Sequence, residues 1–412
     1  MQTNGKAKED KENFIPIEDF FHSYEVCRRR KRNTVNALKF EINYERNLVK
    51  LWQDVNNFKY KIGKSITFVI TRPKLREIFA ADFRDRVIHH VIMQRLEPIF
   101  ENIFIEDSYS CRKDKGVLYG VNRLLDQVKL CSNEYTEDCW IGKFDIQGFF
   151  MSINKNILWN KLENLIENEY DKKDKLILLD LVKKVTLHCP QNNCVRKSDI
   201  RMWDALPKNK SLFTCNQDCG LPIGNHTSQC FANFYLNDFD HYMKNKFKYY
   251  GRYVDDFFII TKTKGEIVDS IEEIRNFLSE NLHLTLHPNK IYTQRYEKGT
   301  KFIGFRVKKN LGNAGKELVS NLYRRIHRFN ILPTTAENAR EFFCTLNSFY
   351  GFLGHYDSIE KRKKIWDKID RKWKGIFWID KDFKKISLHP HYSIYKQTKN
   401  EFKKGTGDEK YF

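Results

Sequence analysis

Gly251-Arg252-Tyr253-Val254-Asp255-Asp256-Phe257-Phe258-Ile259-Ile260 constrains this chain more than any other stretch. Two adjacent carboxylates interrupt apolar runs, a pattern that predicts a β-hairpin with the acids at its tip. An exposed acidic pair on a rigid turn has few structural uses and one strong chemical use, the holding of divalent cations. Oxygen donors suit Mg²⁺, which takes one or two protein carboxylates and completes its shell with water or substrate phosphates. From this segment alone, a solvated turn carrying two aspartates is the competing reading.

A third carboxylate tips the balance. Cys139 to Phe144 reads as a short apolar strand, and it ends at Asp145, about 110 positions before the acidic pair. Strand ends that converge place such acids around one metal pair. Two ions roughly 3.5–4 Å apart clamp the attacking and leaving oxygens of an in-line phosphoryl displacement. Asp145 and Asp255 are the first-choice ligands, Asp256 a further ligand that orients the pair, and the backbone carbonyl of Ile146 completes a shell. Two Mg²⁺ ions are the expected cofactors, with Mn²⁺ as a substitute.

Charge agrees with a polyanionic partner. The 412 residues hold 73 Lys+Arg against 53 Asp+Glu, a formal net charge of +20, which points to nucleic acid. A merely soluble basic protein would share that balance. Aromatic residues make up 14% of the chain, enough to supply stacking partners for bases as well as core. Met1 to Asp19 is charged and lacks the apolar segment of a signal peptide. No apolar run is long enough to span a bilayer. The ten cysteines read as reduced thiols, so the expected location is cytoplasmic, with no membrane partner.

Hydrophobic periodicity predicts an α+β core. Residues 1–20 are polar and expected to be flexible, and 21–60 follow a helical pattern. Ser65 to Thr71 reads as a strand and Asp82 to Phe100 as a helix with Pro98 near its end. Residues 155–187 are helical, and 188–222 read as a long irregular connection. A loop running into a helix covers 224–244, a hairpin 249–260, a helix 267–281 and a strand 302–307. Beyond residue 320 the chain is helical, basic and aromatic. His188-Cys189, Cys194, Cys215 and Cys219 leave a zinc site open, although Cys-x4-Cys and Cys-x3-Cys are looser than a zinc-ribbon signature.

Phe144-Asp145-Ile146-Gln147-Gly148-Phe149-Phe150 resembles motif A of reverse transcriptases, and Tyr253-Val254-Asp255-Asp256 resembles motif C. Between them, Gly220-Leu221-Pro222-Ile223-Gly224-Asn225-His226-Thr227-Ser228-Gln229 resembles motif B. Its Ile-Gly-Asn-X-Thr-Ser-Gln form is similar to that of diversity-generating retroelement enzymes, where retroviral and group II intron enzymes read Gln-Gly and Ser-Pro. Lys210-Ser211-Leu212-Phe213 and Tyr249-Tyr250-Gly251-Arg252 point to the same subgroup. The resemblance covers roughly residues 65–310.

It implies a right-hand polymerase: fingers over 21–138, palm over 139–319 with a 151–219 insertion of helices and loop, and a small helical thumb with tail over 320–412. The implied activity is RNA-directed DNA synthesis, here error-prone copying of a template-repeat RNA into cDNA for mutagenic retrohoming. Implied partners are the template RNA and cDNA, dNTPs, and an accessory variability determinant protein that forms a basic helical oligomer. No RNase H or endonuclease domain is evident after the thumb. Alternatives are a group II intron, retron or phage-defence reverse transcriptase, and, from another class, a non-catalytic RNA-binding scaffold.

By the same resemblance, Arg76, Arg84 and Arg86 neutralise the incoming triphosphate, with Lys74 as a substitute, while a solvated helix face is the competing role. Arg112, Lys113 and Lys115 grip the template, and Gly116 permits close backbone approach. Phe150 packs beneath the sugar and excludes a ribose 2′-OH; Ile223, Gly224 and Gln229 line the nucleotide. Ile223 replaces a hydrogen-bonding Gln, which implies relaxed fidelity opposite template adenines. Lys290, in a motif D-like Leu284-Thr285-Leu286-His287-Pro288-Asn289-Lys290, is a general acid for the leaving pyrophosphate. Phe302 and Gly304, in a motif E-like Phe302-Ile303-Gly304-Phe305, belong to a primer-grip hairpin, with an ordinary buried strand as the competing role. Arg324 and Arg325, in Tyr323-Arg324-Arg325-Ile326-His327-Arg328-Phe329, track a duplex backbone.

Overall fold

The computed structural model describes residues 14–29, 34–71, 74–307, 316–356, 358–390 and 392. Two compact units result, one from Met1–Arg123 with Cys139–Thr293, the other from Leu124–Asp138 with Gln294–Phe412. The architecture is α+β, as expected.

The first unit opens with three helices, α1 (Ile17–Arg28), α2 (Val35–Glu41) and α3 (Tyr44–Asn56), followed by an antiparallel pair, β1 (Ser65–Ile70) and β2 (Arg76–Ala80). The first part of the stretch expected to be flexible lies outside the described residues, and from Ile17 onward it is helical. Helix α4 (Phe83–Ile103) is the spine of this half. Asp82 caps it, accepting from Arg84 N at 3.0 Å, and Pro98 sits inside it rather than ending it. Val87, Ile88, Val91, Ile92 and Leu96 form its fully buried face. Buried Arg95 on α4 is held by Asp174 at 2.6 Å and Asp19 at 2.7 Å.

Helix α5 (Val117–Cys131) precedes β3 (Trp140–Asp145). The short α6 (Phe149–Ser152) and the longer α7 (Lys155–Glu169) and α8 (Lys175–Leu187) follow. The stretch expected to be irregular carries one more strand, β4 (Cys194–Arg196), which pairs parallel with β1, and a single turn of helix, α9 (Arg201–Asp204). Three residues are too few for an alternating pattern, so the strand shows only through its partner. This segment is fastened by buried Glu77 on β2. Its carboxylate accepts from Trp203 Nε1, Ser211 Oγ and Leu212 N, each at 2.7 Å.

Helices α10 (His226–Tyr235) and α11 (Asn237–Lys246) lead into the hairpin of β5 (Tyr249–Tyr253) and β6 (Asp256–Thr261), and α12 (Lys264–Leu282) follows. The sheet runs β5-β6-β3, with β7 (Tyr292–Arg295) at its edge. One face turns Phe144 and Phe257 inward, stacked at 5.0 Å between ring centroids, against Phe239 of α11 and the N-terminal half of α12. At Gly142 a Cβ would meet Ile267 Cγ2 at 2.7 Å, so this close approach of sheet and helix requires glycine.

In the second unit, β8 (Thr300–Phe302) and β9 (Phe305–Val307) form a hairpin rather than the single strand that periodicity gave over 302–307. Ile303 and Gly304 both adopt positive φ, the geometry of a tight two-residue turn. Helices α13 (Lys316–Ile331), α14 (Ala336–Leu353), α15 (Ile359–Asp367) and α16 (Arg371–Lys374), with the pair β10 (Phe377–Ile379) and β11 (Ile386–Leu388), complete it. Its core stacks Phe329 on Phe342 and Trp373 on Phe377.

Behind the acidic turn, Arg252 of β5 and Asp240 of α11 are both fully buried and form a two-pronged ion pair through Nε at 2.6 Å and Nη2 at 2.5 Å. Removing one partner leaves an uncompensated buried charge, which costs about 3–5 kcal/mol. Arg252→Met and Asp240→Asn should each destabilise the chain by that order in urea unfolding. Loss of less than about 1 kcal/mol in both would show that the pair does not hold the hairpin.

Candidate active site

The acids sit where the strand ends of one sheet converge. β3 pairs antiparallel with β6, so that Asp145 stands opposite Asp256. Val254 and Asp255 form the two-residue turn between Tyr253 and Asp256. Val254 takes φ +58°, a left-handed conformation costly for a β-branched residue. Arg252 Nη1 donates to Val254 O at 2.9 Å, so the buried ion pair also clamps the strained turn. Ile146 N donates to Asp255 O at 3.2 Å, tying motif A to the turn.

Each flanking acid has its own lysine. Lys290 Nζ lies 2.8 Å from Asp145 Oδ1, and Lys143 Nζ lies 3.2 Å from Asp256 Oδ1. The backbone places Lys290 there: Gln147 N donates to Thr285 O at 2.9 Å and His287 N to Asp145 O at 2.8 Å. Asp255, in the turn beside them, has no such ion pair among the described residues. Burial, with the charges of Asp145 and Asp256 adding, pushes its carboxyl up to about 6. A carboxylate crowded in this way gains from a divalent cation. The three carboxylates nevertheless do not come within 4.8 Å of one another as a set.

Phe150 and Ile223 share one floor. Both are half-buried and pack on the small cluster of Phe79, Met151 and Leu212. Ile223 O accepts from Phe79 N at 2.8 Å. Gly224 adopts φ +127°, and a Cβ there would come 2.8 Å from Phe79 O, so only glycine fits this turn into α10. Gln229 is exposed on α10, its Oε1 3.7 Å from Cys111 Sγ.

Several expected cations point inward instead. Arg84 binds Asp54 at 2.8 Å and Lys61 O at 3.1 Å, and Arg86 donates to Ala81 O. Arg112 forks onto Glu101 and the carbonyls of Ile105 and Ser108. Lys115 pairs with Glu106 at 3.0 Å. Nearby carboxylates and carbonyls claim these charges. Arg76, Lys74 and Lys113 stand exposed. Phe302, Gly304, Arg324 and Arg325 belong to the second unit, where Phe302 is buried, Arg324 exposed, and Arg325 lies over the Phe349 ring at 5.5 Å.

The four cysteines left open for zinc do not gather with other donors among the described residues. Cys189 Sγ lies 2.9 Å from Lys155 Nζ, and Cys215 Sγ contacts the carbonyls of Leu212 and Cys219 at 3.3 Å. Sequence reasoning missed Lys143, Asp240 and Glu77. Only Lys143 left a signal, since a residue two before Asp145 on a strand shares its face.

A family model described as reverse transcriptase (RNA-dependent DNA polymerase) matches residues 70–307. The chain is 22% identical to protein YkfC of Escherichia coli, over 57% of this chain and 63% of that protein. It is 24% identical to a COX1/OXI3 intron 2 protein of Saccharomyces cerevisiae, over 63% of this chain and 34% of that protein. The chain thus spans less than two thirds of each of these two relatives. Among solved structures, telomerase of Candida tropicalis with a fragment of telomeric RNA aligns over 75% of this chain and 52% of its own, at 13% identity and a TM-score of 0.47.

The raised Asp255 carboxyl has a stability consequence. Its folded value lies above the ordinary carboxylate value. Ionisation therefore disfavours the folded state increasingly as pH rises from about 4 to about 6, and the full penalty persists above that. Partial exposure screens part of it, leaving on the order of 1 kcal/mol. Asp255→Asn should raise the thermal stability of the metal-free protein at pH 7.5, with the gain shrinking toward pH 4.5. A variant no more stable than wild type at pH 7.5 would refute the crowding argument.

Proposed function

The chain belongs to the reverse transcriptase (RNA-dependent DNA polymerase) family, and from that premise we propose that it copies an RNA template into DNA by attack of a primer 3′-OH on a dNTP. The observation that carries the reading is the pairing that sets Asp145 opposite the Val254-Asp255 turn with Lys290 on the same acid. The α+β architecture is that of a right-hand polymerase; on this reading we assign fingers to 21–138, palm to 139–319 and thumb to 320–412.

Asp255, Asp145 and Asp256, with the Ile146 carbonyl, are the oxygen donors that would hold Mg²⁺. The donor set fits a hard cation, and the like-charge crowding at Asp255 supports it. Bound there, the ions lower the pKa of the attacking hydroxyl and stabilise charge on the phosphoryl oxygens. Lys290 supplies a proton to the leaving pyrophosphate. Phe150, seated on Phe79, Met151 and Leu212, has a rigid floor and resists displacement by a ribose 2′-OH. Arg76 and the exposed Lys74 face the triphosphate, Lys113 the template, and Phe302, Gly304, Arg324 and Arg325 the primer duplex.

Motif B supports the finer reading. Ile223 presents a side chain that cannot hydrogen-bond to the nascent pair, so the enzyme is of the diversity-generating retroelement type. It makes adenine-directed errors in cDNA from a template-repeat RNA, and works with a basic helical accessory oligomer. A second reading, an intron-type enzyme, is favoured by the similarity to a yeast intron 2 protein.

Primer extension on an RNA template should fall about 10²–10³-fold in Asp255→Ala, the order expected when a principal electrostatic stabiliser of the transition state is lost. Unchanged extension would leave the RNA-binding scaffold as the better reading. Sequenced cDNA should carry errors concentrated opposite template adenines, and Ile223→Gln should reduce them. A uniform low error rate in both proteins would favour the intron-type reading.

A further inference from the structure

Two helices cross at a place the acidic site does not use. α4 carries His90, Gln94 and Glu97 at spacings of four and three residues, which places them along one face. α10 carries His226 and Cys230 one turn apart. Glu97 Oε1 lies 3.2 Å from His226 Nε2. The His90 and His226 rings lie 5.1 Å apart between centroids. Donor atoms of Glu97, His226 and Cys230 all fall within 4.8 Å of one another, the one such group of three among the described residues.

We propose that Glu97, His226 and Cys230 form a zinc site that pins α4 to the first turns of α10. Zn²⁺ takes thiolate, imidazole and carboxylate together in tetrahedral sites with bonds of about 2.0–2.3 Å. That geometry sets neighbouring donors roughly 3.2–3.7 Å apart, and the Glu97–His226 distance of 3.2 Å matches such an edge. Magnesium, which takes oxygen ligands, is a poor match for a sulfur and nitrogen set.

A simple glutamate–histidine contact beside a buried thiol is the competing description. It leaves one atom of the group unexplained: His226 Nδ1 is buried and, among the described residues, has no hydrogen-bond partner. An unpaired buried polar atom is costly, and this one belongs to a residue of the group. Burial also pushes the Cys230 thiol up, so the metal-free residue holds its proton. Binding then proceeds as Cys–SH plus Zn²⁺ giving Cys–S–Zn⁺ plus H⁺. Exposed Glu97 leaves a path for the ion to enter. The site would tether the helix that begins directly after Gly224-Asn225, and with it the position of Ile223.

The test uses chelator-treated full-length chain titrated with Co²⁺, whose thiolate complexes absorb in the near ultraviolet. One equivalent should develop a thiolate-to-cobalt band, displaced by Zn²⁺ and untouched by excess Mg²⁺. Asp255→Ala should retain the band, separating this site from the acids on the sheet. Cys230→Ser should abolish it. Glu97→Gln, at an exposed position that leaves folding intact, should weaken Co²⁺ binding at least about tenfold, by analogy with lost outer-shell support. A folded wild type without the band, a band undiminished in Cys230→Ser, or Glu97→Gln binding equal to wild type would each overturn the proposal.

Discussion

The buried pair of Arg252 and Asp240 is the constraint on which the acidic turn depends. Two opposite charges at zero exposure are an expensive way to hold a hairpin, since apolar residues of similar volume often serve as well. The guanidinium, however, has more donors than Asp240 uses, and one of them reaches Val254 O. The arginine also meets the neighbouring segment through its own backbone: its N–H donates to Asp107 O and its carbonyl accepts from Tyr109 N. Asp107 is buried in turn, and takes Arg123 at 2.9 Å and Lys244 at 2.8 Å. One residue thus links helix α11, the strained turn and the 107–109 segment. A methionine could fill the space and keep the backbone bonds to 107–109, but it would supply neither the ion pair with Asp240 nor the bond to Val254 O.

The same economy shapes the carboxylates. Three acids at adjacent strand ends repel one another, and among the described residues Asp145 and Asp256 each have a lysine while Asp255 has none. This leaves Asp255 as the group most in need of positive charge. Lys290 reaches Asp145 because the 285–287 backbone pairs with 145–147. Charge balance and local backbone structure are therefore set by the same contacts.

How far the sequence revealed this depends on range. The hairpin was legible because apolar runs flank two acids, and the α4 face because its apolar residues recur over five turns. The loop running into α10 at Gly224 was legible, but that a Cβ there would be blocked by Phe79 O was not. The partners of buried charges were not legible. Arg252 and Asp240 sit on different elements, and no local pattern says which acid an arginine will find. Arg84, Arg112 and Lys115 looked available for phosphates because sequence shows the cation and hides the carboxylate beside it. β4 was invisible because its three residues alternate with nothing. The cysteines at 189–219 drew attention by being close in sequence, whereas Glu97 and Cys230 are close only in space.

The Glu77 hub changes what the 188–222 stretch means. A long connection on a polymerase-like palm could be a passive surface loop. Here a buried carboxylate with three donors at 2.7 Å ties it to β2, and Ser65 and Thr67 of β1 pair with Cys194 and Arg196. Leu212, placed by its N–H on Glu77, forms the floor under Phe150 and Ile223. The surface that would judge sugar and base is therefore built partly from the connection, outside the sheet that carries the acids. Changes in the loop can then alter selectivity without moving Asp145 or Asp255. A rigid sheet with variable loops around it is the usual way one scaffold acquires new specificity.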